Sequence, residues 1–366
     1  LKPAHAAAHT QGDIHIHDMD FLTLTTTCCQ IDLIKLFTGG FSTGHGVLRE
    51  PNDIYSYSAL ACIAIQANQN DQHGGQSVVN FDYSMAEGVK KTFSKRYRDN
   101  MVRALELTTS VPEAQAFVRA YFDELKARNI IPSLIENPEY KAAEYEVLSE
   151  KGMSDEDIRR VQAFSQQKAF EETDRATFQA MEALIHNLNT MNSRAGAQVP
   201  FSSINYGMDT SPEGRLVMRN LLLSTEEGLG GGETPIFPIQ IFRVKEGINY
   251  NPGDPNYDLF KLACRVSAKR LFPNFAFQDA PYNLQYYVPG RPETEIAYMG
   301  CRTRVIGNVY DKTKEISNGR GNLSFTSVNL PRIAIKANRN VEQFFSELDR
   351  TIDLVFDQLF ERFEIQ

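Results

Sequence analysis

Short apolar runs set between long helical stretches constrain this chain more than any other feature. Val199-Pro200-Phe201 leads into Ile204, residues 235–242 read PIFPIQIF, and residues 323–330 read LSFTSVNL. Each run is bounded by Gly, Asn or Pro, as buried strands with loops at their ends are. The stretches between them carry helix punctuation. Asn52 and Asp53 follow Pro51 and can cap a helix bearing Ile54, Ala61 and Ile65 up to about residue 70. Ser110, Pro112 and Glu113 form a capping-box pattern that predicts a second helix. A polar helical stretch from Ser154 to about residue 192 predicts two helices or one kinked one. The last helix, residues 341–363, sets Val341, Phe344, Leu348, Ile352, Val355, Leu359 and Phe363 on one face. Strands alternating with long helices predict an α/β architecture. Periodicity leaves open whether the sheet is open or closed.

Composition narrows the function. The 366 residues include 46 acidic and 38 basic side chains, a net charge of −8, with 42% hydrophobic and 23% charged residues. That is ordinary globular composition, not a disordered or fibrous chain. No window approaches ~18 uninterrupted apolar residues, so no membrane span is expected. There is no Lys/Arg run, which excludes a sequence-independent nucleic-acid binder; local arginines still suit a small anionic substrate. No linker or repeat divides the chain, so residues 1–366 are read as one domain. The five cysteines, Cys28, Cys29, Cys62, Cys264 and Cys301, are odd in number and lack a CxxC, so neither a disulfide framework nor a zinc or iron–sulfur site is expected. A reducing cytoplasm is the expected compartment. The opening Leu1-Lys2-Pro3 has no initiator Met and no signal peptide, and the last helix is still apolar on one side at Gln366. Both ends read as cuts through a longer protein.

Several groups can carry chemistry. His15 and His17 share one face of a strand in GDIHIHDMD, beside Asp18, but no third metal ligand is spaced to join them. They are read instead as hydrogen-bonded structural or substrate-positioning groups. Cys28 and Cys29 are adjacent, a spacing ill suited to a disulfide between them, and each alone reads as a small buried hydrophobe. Cys301 lies in YMGCRTR, where Gly300 permits a tight turn and Arg302 and Arg304 can depress a thiol pKa or bind an anion. Reactive and inert readings of that thiol stand level. The glycine-rich stretches GLGGGET (228–234), NGRGN (318–322) and HGGQ (73–76) match neither a Walker loop nor a dinucleotide fingerprint. Each is either a phosphate-facing loop or a tight turn.

Taken together, GDIHIHDMDF, TTCCQIDL, the GGF and PNDI segment, QHGGQ, GGETPIFPIQIF, YMGCRTRV and GRGNLSFTSVNLPR occur in the order, and with the wording, of one family. The chain resembles the catalytic subunit of the anaerobic, class III glycyl-radical ribonucleoside-triphosphate reductases over residues 12–332. The resemblance implies a ten-stranded α/β barrel with a central finger loop, incomplete in this chain. It implies that Cys301 is the finger-loop cysteine that becomes a transient thiyl and abstracts the 3′-hydrogen of a ribonucleoside triphosphate. It further implies that Cys28 is the second thiol, assisting loss of water from the 2′-carbon, and that Asn322 lies near the ribose hydroxyls. Cys29 remains an alternative to Cys28, because adjacent strand residues point to opposite faces. Met299 matches the family's loop methionine, and His15, Gly231 and Thr234 are expected to line the substrate.

The same resemblance implies formate as reductant, dNTP and ATP effectors, a homodimer and a radical-SAM activating protein. The family's glycyl radical and four-cysteine zinc site lie in a C-terminal region with no counterpart in this sequence, and its N-terminal ATP-binding domain is missing too. Residues 304–308, RVIGN, carry Asn308 where the radical motif has an aromatic, so Gly307 is read as a loop glycine. The 366 residues alone are therefore expected to be inactive. Two rival readings remain: a pyruvate formate-lyase-like glycyl-radical enzyme, whose cysteine pair sits on the central loop, and a silent nucleotide-binding module.

Overall fold

The structure is a computed structural model. It describes residues 1–22, 27–108, 111, 113–193, 197–300, 303–304, 308, 311, 313–314 and 317–366. Ser110, Pro112, Cys301, Arg302 and Gly307, all named above, lie outside the described residues.

Six strands form the principal sheet: β1 (Cys28–Ile31), β2 (Gln76–Val78), β3 (Ser202–Tyr206), β4 (Ile239–Val244), β5 (Asn274–Phe277) and β6 (Gly321–Asn322). Their spatial order is β6-β1-β2-β3-β4-β5. Strands β1 to β5 run parallel, and β6 returns antiparallel beside β1. The ten-stranded closed barrel is not seen among the described residues. The single open sheet is in keeping with a barrel incomplete in this chain.

Parallel neighbours need crossovers, and helices supply them. The main ones are α1 (Ile54–Asp71), α2 (Phe81–Thr108), α3 (Asp155–Thr190), α4 (Pro212–Glu227) and α5 (Tyr257–Arg270). Helix α1 starts where the sequence predicts, with a reciprocal capping box: the Ser56 amide donates to Asp53 Oδ1 at 2.9 Å and the Asp53 amide to Ser56 Oγ at 3.1 Å. Helix α3 is one continuous 36-residue helix capped by Ser154. The helix expected to be capped at Ser110 begins at Ala114, with Glu113 in the left-handed region and making no side-chain cap. All five helices contribute to one apolar core with Val78, Ile204, Tyr206, Phe242 and Val244 from the sheet.

A smaller unit flanks the sheet. Ile14–Ile16 pairs antiparallel with Thr326–Val328, and Ile14, Ile16 and Ala8 pack on Val355 of α6 (Val341–Ile365). The buried face of α6 differs from the apolar stripe read in the sequence. Thr351, Val355, Gln358 and Arg362 are buried, whereas Val341, Ile352 and Phe363 are exposed. Polar contacts set this orientation: Gln358 accepts from Thr326 Oγ1 at 2.6 Å, and Arg362 donates to the carbonyls of His17 at 2.9 Å and Leu22 at 3.2 Å.

Candidate active site

Side chains alternate across a strand, and the register fixes which residues share the face turned away from the helices. On that face stand Cys28 and Gln30 of β1, Ser77 of β2, Ser203 and Asn205 of β3 and Arg243 of β4. Gln278, just past β5, and Asn322 of β6 join them. The opposite face carries Ile31, Val78, Ile204, Tyr206, Phe242 and Val244 against the helices. One sheet therefore has an apolar face and a buried polar face, and buried polar groups need partners.

Their partner is a peptide segment. Residues 295–300 lie along the polar face, running opposite to the parallel strands. Gln278 and Ile296 exchange two hydrogen bonds, the Ile296 amide to Oε1 at 3.0 Å and Nε2 to the Ile296 carbonyl at 3.1 Å. Asn205 does the same with Tyr298, at 2.9 and 3.0 Å. Ser77 Oγ also donates to the Tyr298 carbonyl at 2.7 Å, Gln30 Nε2 reaches the Ala297 carbonyl at 3.4 Å, and the Gly300 amide donates to Ser203 Oγ at 3.2 Å. Alternate amides, those of residues 296, 298 and 300, are thus satisfied by side chains in place of a neighbouring strand. Tyr298–Met299 then pairs with Thr303–Arg304 on the far side of Cys301, and Arg304 stacks 4.6 Å from the Tyr282 ring centroid. Met299 is buried, 1% exposed.

The segment ends beside the cysteine pair. Gly75 lies where its amide donates to Cys28 Sγ at 3.2 Å, and a Cβ on Gly75 would come within 3.3 Å of the Gly300 Cα. One residue therefore touches both the Cys28 thiol and the residue that precedes Cys301. Asn322 is the direct antiparallel partner of Cys28, so the two side chains emerge together on the polar face. Gly321 permits this pairing, since a Cβ there would sit 2.4 Å from the Cys28 carbonyl oxygen. The turn carrying Gly75 is braced by His73, which stacks on Phe21 at 5.0 Å and lies 3.1 Å from the Asp18 carboxylate.

Cys29 points the other way. Its sulfur accepts from Asn68 Nδ2 of α1 at 2.9 Å and donates to Gln76 Oε1 at 3.2 Å, on the helix side of the sheet. Burial pushes its thiol up to about 12, so it is neutral near pH 7. Of the adjacent pair, only Cys28 shares a face with the 295–300 segment.

The remaining expected site residues lie in other settings. His15 is exposed, and its ring neighbours are His9 at 5.4 Å and His17 at 4.6 Å. His17 is held below the usual imidazole range by burial and by His15. The 228–234 loop is organised from within: the Gly231 amide donates to Glu233 Oε2 at 2.9 Å, and Thr234 is exposed. Arg270 ties this loop to the C-terminus of α4, donating to the carbonyls of Glu226, Glu227 and Gly232, each at 2.7 Å at its shortest. Among the described residues no group of three or more His, Cys, Asp and Glu side chains is placed to hold a metal ion. No helix among them is long and apolar enough to cross a membrane.

Sequence reasoning missed Gln30, Ser77, Ser203, Asn205, Arg243 and Gln278. A visible trace of them was the polar residues inside otherwise apolar strands, as in SSINY and IQIFRV.

Comparison with known proteins gives the family. The profile for anaerobic ribonucleoside-triphosphate reductase matches residues 1–366. The enzyme of that name from Haemophilus influenzae is 28% identical over 358 residues, covering 97% of this chain and 41% of its own length. The bacteriophage T4 enzyme is 26% identical over 359 residues, covering 96% and 49%. This chain thus spans less than half the length of these relatives. Solved structures of the Thermotoga maritima anaerobic ribonucleotide reductase share the fold. The form with citrate in the active site has a TM-score of 0.57 at 14% identity, covering 98% of this chain and 52% of that one. The complex with dATP and CTP has the same score and identity, covering 98% and 48%. A profile matched from end to end places this chain in the anaerobic ribonucleoside-triphosphate reductase family.

Proposed function

We propose that this chain builds the thiol-bearing face of an enzyme that reduces ribonucleoside triphosphates to 2′-deoxyribonucleoside triphosphates. One observation carries the reading: Gly75 bridges the Cys28 sulfur and Gly300, so the polar face joins Cys28, Asn322 and the segment leading to Cys301. Cys301 is the hydrogen abstractor, taking the 3′-hydrogen as its own S–H bond forms. Cys28, rather than Cys29, is the second thiol, protonating the leaving 2′-hydroxyl and returning hydrogen to the sugar. Asn322 orients the ribose hydroxyls without adding charge. Burial of Ile296, Ala297 and Met299 keeps water from the approach to Cys301. A glycyl radical carried outside these residues supplies the oxidising equivalent when present. With formate as co-substrate the reaction balances as NTP + HCOO⁻ + H⁺ giving dNTP + CO2 + H2O. A radical-SAM activator and a homodimer belong to the same proposal. Met299, buried two residues before Cys301 in sequence, holds the approach to that cysteine; His15, Gly231 and Thr234 serve as outlying substrate contacts.

Effector nucleotides have a separate candidate site. A cavity of about 640 Å³ between α2 and the Ala114–Ala127 helix is lined by Lys90, Lys91, Lys95, Arg98 and Lys126 against Glu50, Glu87 and Asp123. The cationic excess suits a triphosphate. Titration calorimetry with dATP should show binding that Arg98→Glu weakens at least tenfold; unchanged affinity excludes the groove.

The test of the reaction uses activated full-length enzyme and 3′-deuterated substrate. Cys301→Ser should abolish loss of the 3′ label. Cys28→Ser should allow abstraction but stop dNTP formation, and Cys29→Ala should keep most turnover. Normal product from Cys28→Ser sinks the assignment, and undiminished turnover on a dithiol without formate removes formate.

A further inference from the structure

The upstream end of the 295–300 segment is anchored differently from the rest. Glu295, 4% exposed, lies with Oε2 2.8 Å from Arg243 Nη1 and accepts at Oε1 from the Tyr83 hydroxyl at 2.9 Å. Arg243 is itself fully buried, donating to Asn80 Oδ1 at 3.0 Å and to Asp82 Oδ1 at 3.4 Å. Asp82 in turn accepts at Oδ2 from three consecutive amides, those of Gly207, Met208 and Asp209, at 2.8, 2.9 and 3.1 Å. This cluster ties α2, the end of β3, β4 and the segment into one rigid corner. Downstream, the contacts are amide or hydroxyl bonds to main chain, which any residue of an extended segment could make.

That difference matters for register. Main-chain bonds to Gln278, Asn205 and Ser203 repeat every second residue, so they alone would accept a segment slipped by two. A two-residue slip moves the chain by roughly 6.6 Å and a one-residue slip turns every side chain over. The carboxylate distinguishes the correct alignment, together with the buried Ala297 and Met299 side chains and the close approach of Gly300 to Gly75 and Phe201.

We propose that Glu295 is a positioning residue for the reaction: seated between Arg243 and Tyr83, it pins the register of residues 295–300 and so fixes where Gly300 meets Gly75 beside Cys28. The inference rests on the reading of Cys301 as the abstracting thiol.

Protonation of Glu295 modulates the pin. The groups facing Glu295 are Arg243 of β4, Asp82 and Tyr83 of α2, Asp209 after β3, and Tyr287. Burial pushes the Glu295 carboxyl up to about 7, with Arg243 opposing and Asp82 adding to the rise, and burial likewise lifts Asp209 to about 6. A raised carboxyl pKa favours the neutral form, so any stability it lends is complete below the ordinary 4.5 and lost as pH rises through about 7. The attraction of Arg243 opposes that rise without reversing it, so the segment is seated more firmly below about 7 than above it.

Amide hydrogen exchange by mass spectrometry, corrected for intrinsic rates, tests the pin on this chain without turnover. The amides of residues 296, 298 and 300 should be about tenfold better protected at pH 6 than at pH 8, while α3 does not change. Glu295→Ala should be poorly protected at both pH values, whereas Glu295→Gln, which cannot ionise, should stay protected at both. In activated full-length enzyme, Glu295→Ala should lower kcat about 100-fold with KM within twofold, and flatten the alkaline limb of the pH profile. Tyr83→Phe, the milder variant should Glu295→Ala fail to fold, should move that limb to higher pH, since it removes a hydrogen bond that favours the carboxylate. Wild-type protection or a wild-type pH profile in Glu295→Ala overturns the pin, as does loosening of the segment with kcat unchanged. If exchange follows expectation but the wild-type full-length protein does not reduce nucleotides, the reductase reading fails and the pin stands.

Discussion

The two faces of the sheet do different work with the same strands. On the helix side, Phe242 is fully buried among Tyr206, Phe260 and Phe275, with ring centroids 5.5 to 6.2 Å apart. That contact is non-directional and tolerates any well-packed apolar group of similar volume. On the other side, Asn205 is equally buried but holds one particular peptide, Tyr298, by two directed bonds. Apolar burial supplies the stability of the layer; the polar face adds little net free energy but specifies where a distant segment lies.

This contrast can be broken by experiment. Phe242→Ala should be the most damaging, lowering unfolding free energy by about 3–5 kcal/mol in urea melts through cavity formation, with the remaining segment contacts intact. Asn205→Ala should cost less, about 1–3 kcal/mol, because it strands the Tyr298 amide and carbonyl. Its larger consequence should be faster exchange at Tyr298 and weakened turnover. Equal exchange at Tyr298 in the two variants would mean the faces are not functionally distinct.

The smallest effect is expected away from the sheet, at Glu144. There a buried carboxylate accepts from Tyr97 at 2.7 Å, Tyr121 and Tyr140 each at 2.9 Å, and Gln162 at 3.1 Å, all neutral donors. Burial holds this carboxyl above its ordinary value, so the stability it lends is complete below the ordinary 4.5 and declines as pH rises through the raised pKa. Glu144→Gln cannot ionise and should flatten the fall in melting temperature between pH 5 and pH 8. A steeper fall would show that the carboxylate is bound more tightly when charged.

Legibility in the sequence followed locality. The α1 cap was readable because Asp53 and Ser56 are three residues apart and answer to each other. Helix α2 was not read, and Gly88 explains part of this. It looks like a breaker, yet a Cβ there would come within 2.8 Å of the Tyr57 ring, so the glycine serves close packing of α1 on α2. The stripe on α6 misled because Gln358 and Arg362 choose its face through Thr326, His17 and Leu22. The two cysteines near the N-terminus were visible, but which of them faces the reacting segment was not. That depends on strand register and on Asn68 and Gln76 capturing Cys29 from behind. The Arg243–Glu295 corner escaped because its members come from α2, β4 and a segment near residue 295, with no local pattern linking them.

The surroundings of Cys28 have a consequence for motion and for sequence drift. Its sulfur receives an amide from Gly75, and a Cβ on Gly74 would lie 2.7 Å from that sulfur and 1.9 Å from the Thr27 carbonyl oxygen. The thiol is walled by peptide planes at these positions, so the rapid rotamer hopping that blurs many surface sites has nothing to act on there. Its location shifts only when strands shift. Nor can its neighbourhood change by small steps: the first methyl added at Gly74 or Gly321 already displaces main chain. A substitution scan should find these two glycines as unforgiving as the cysteine itself.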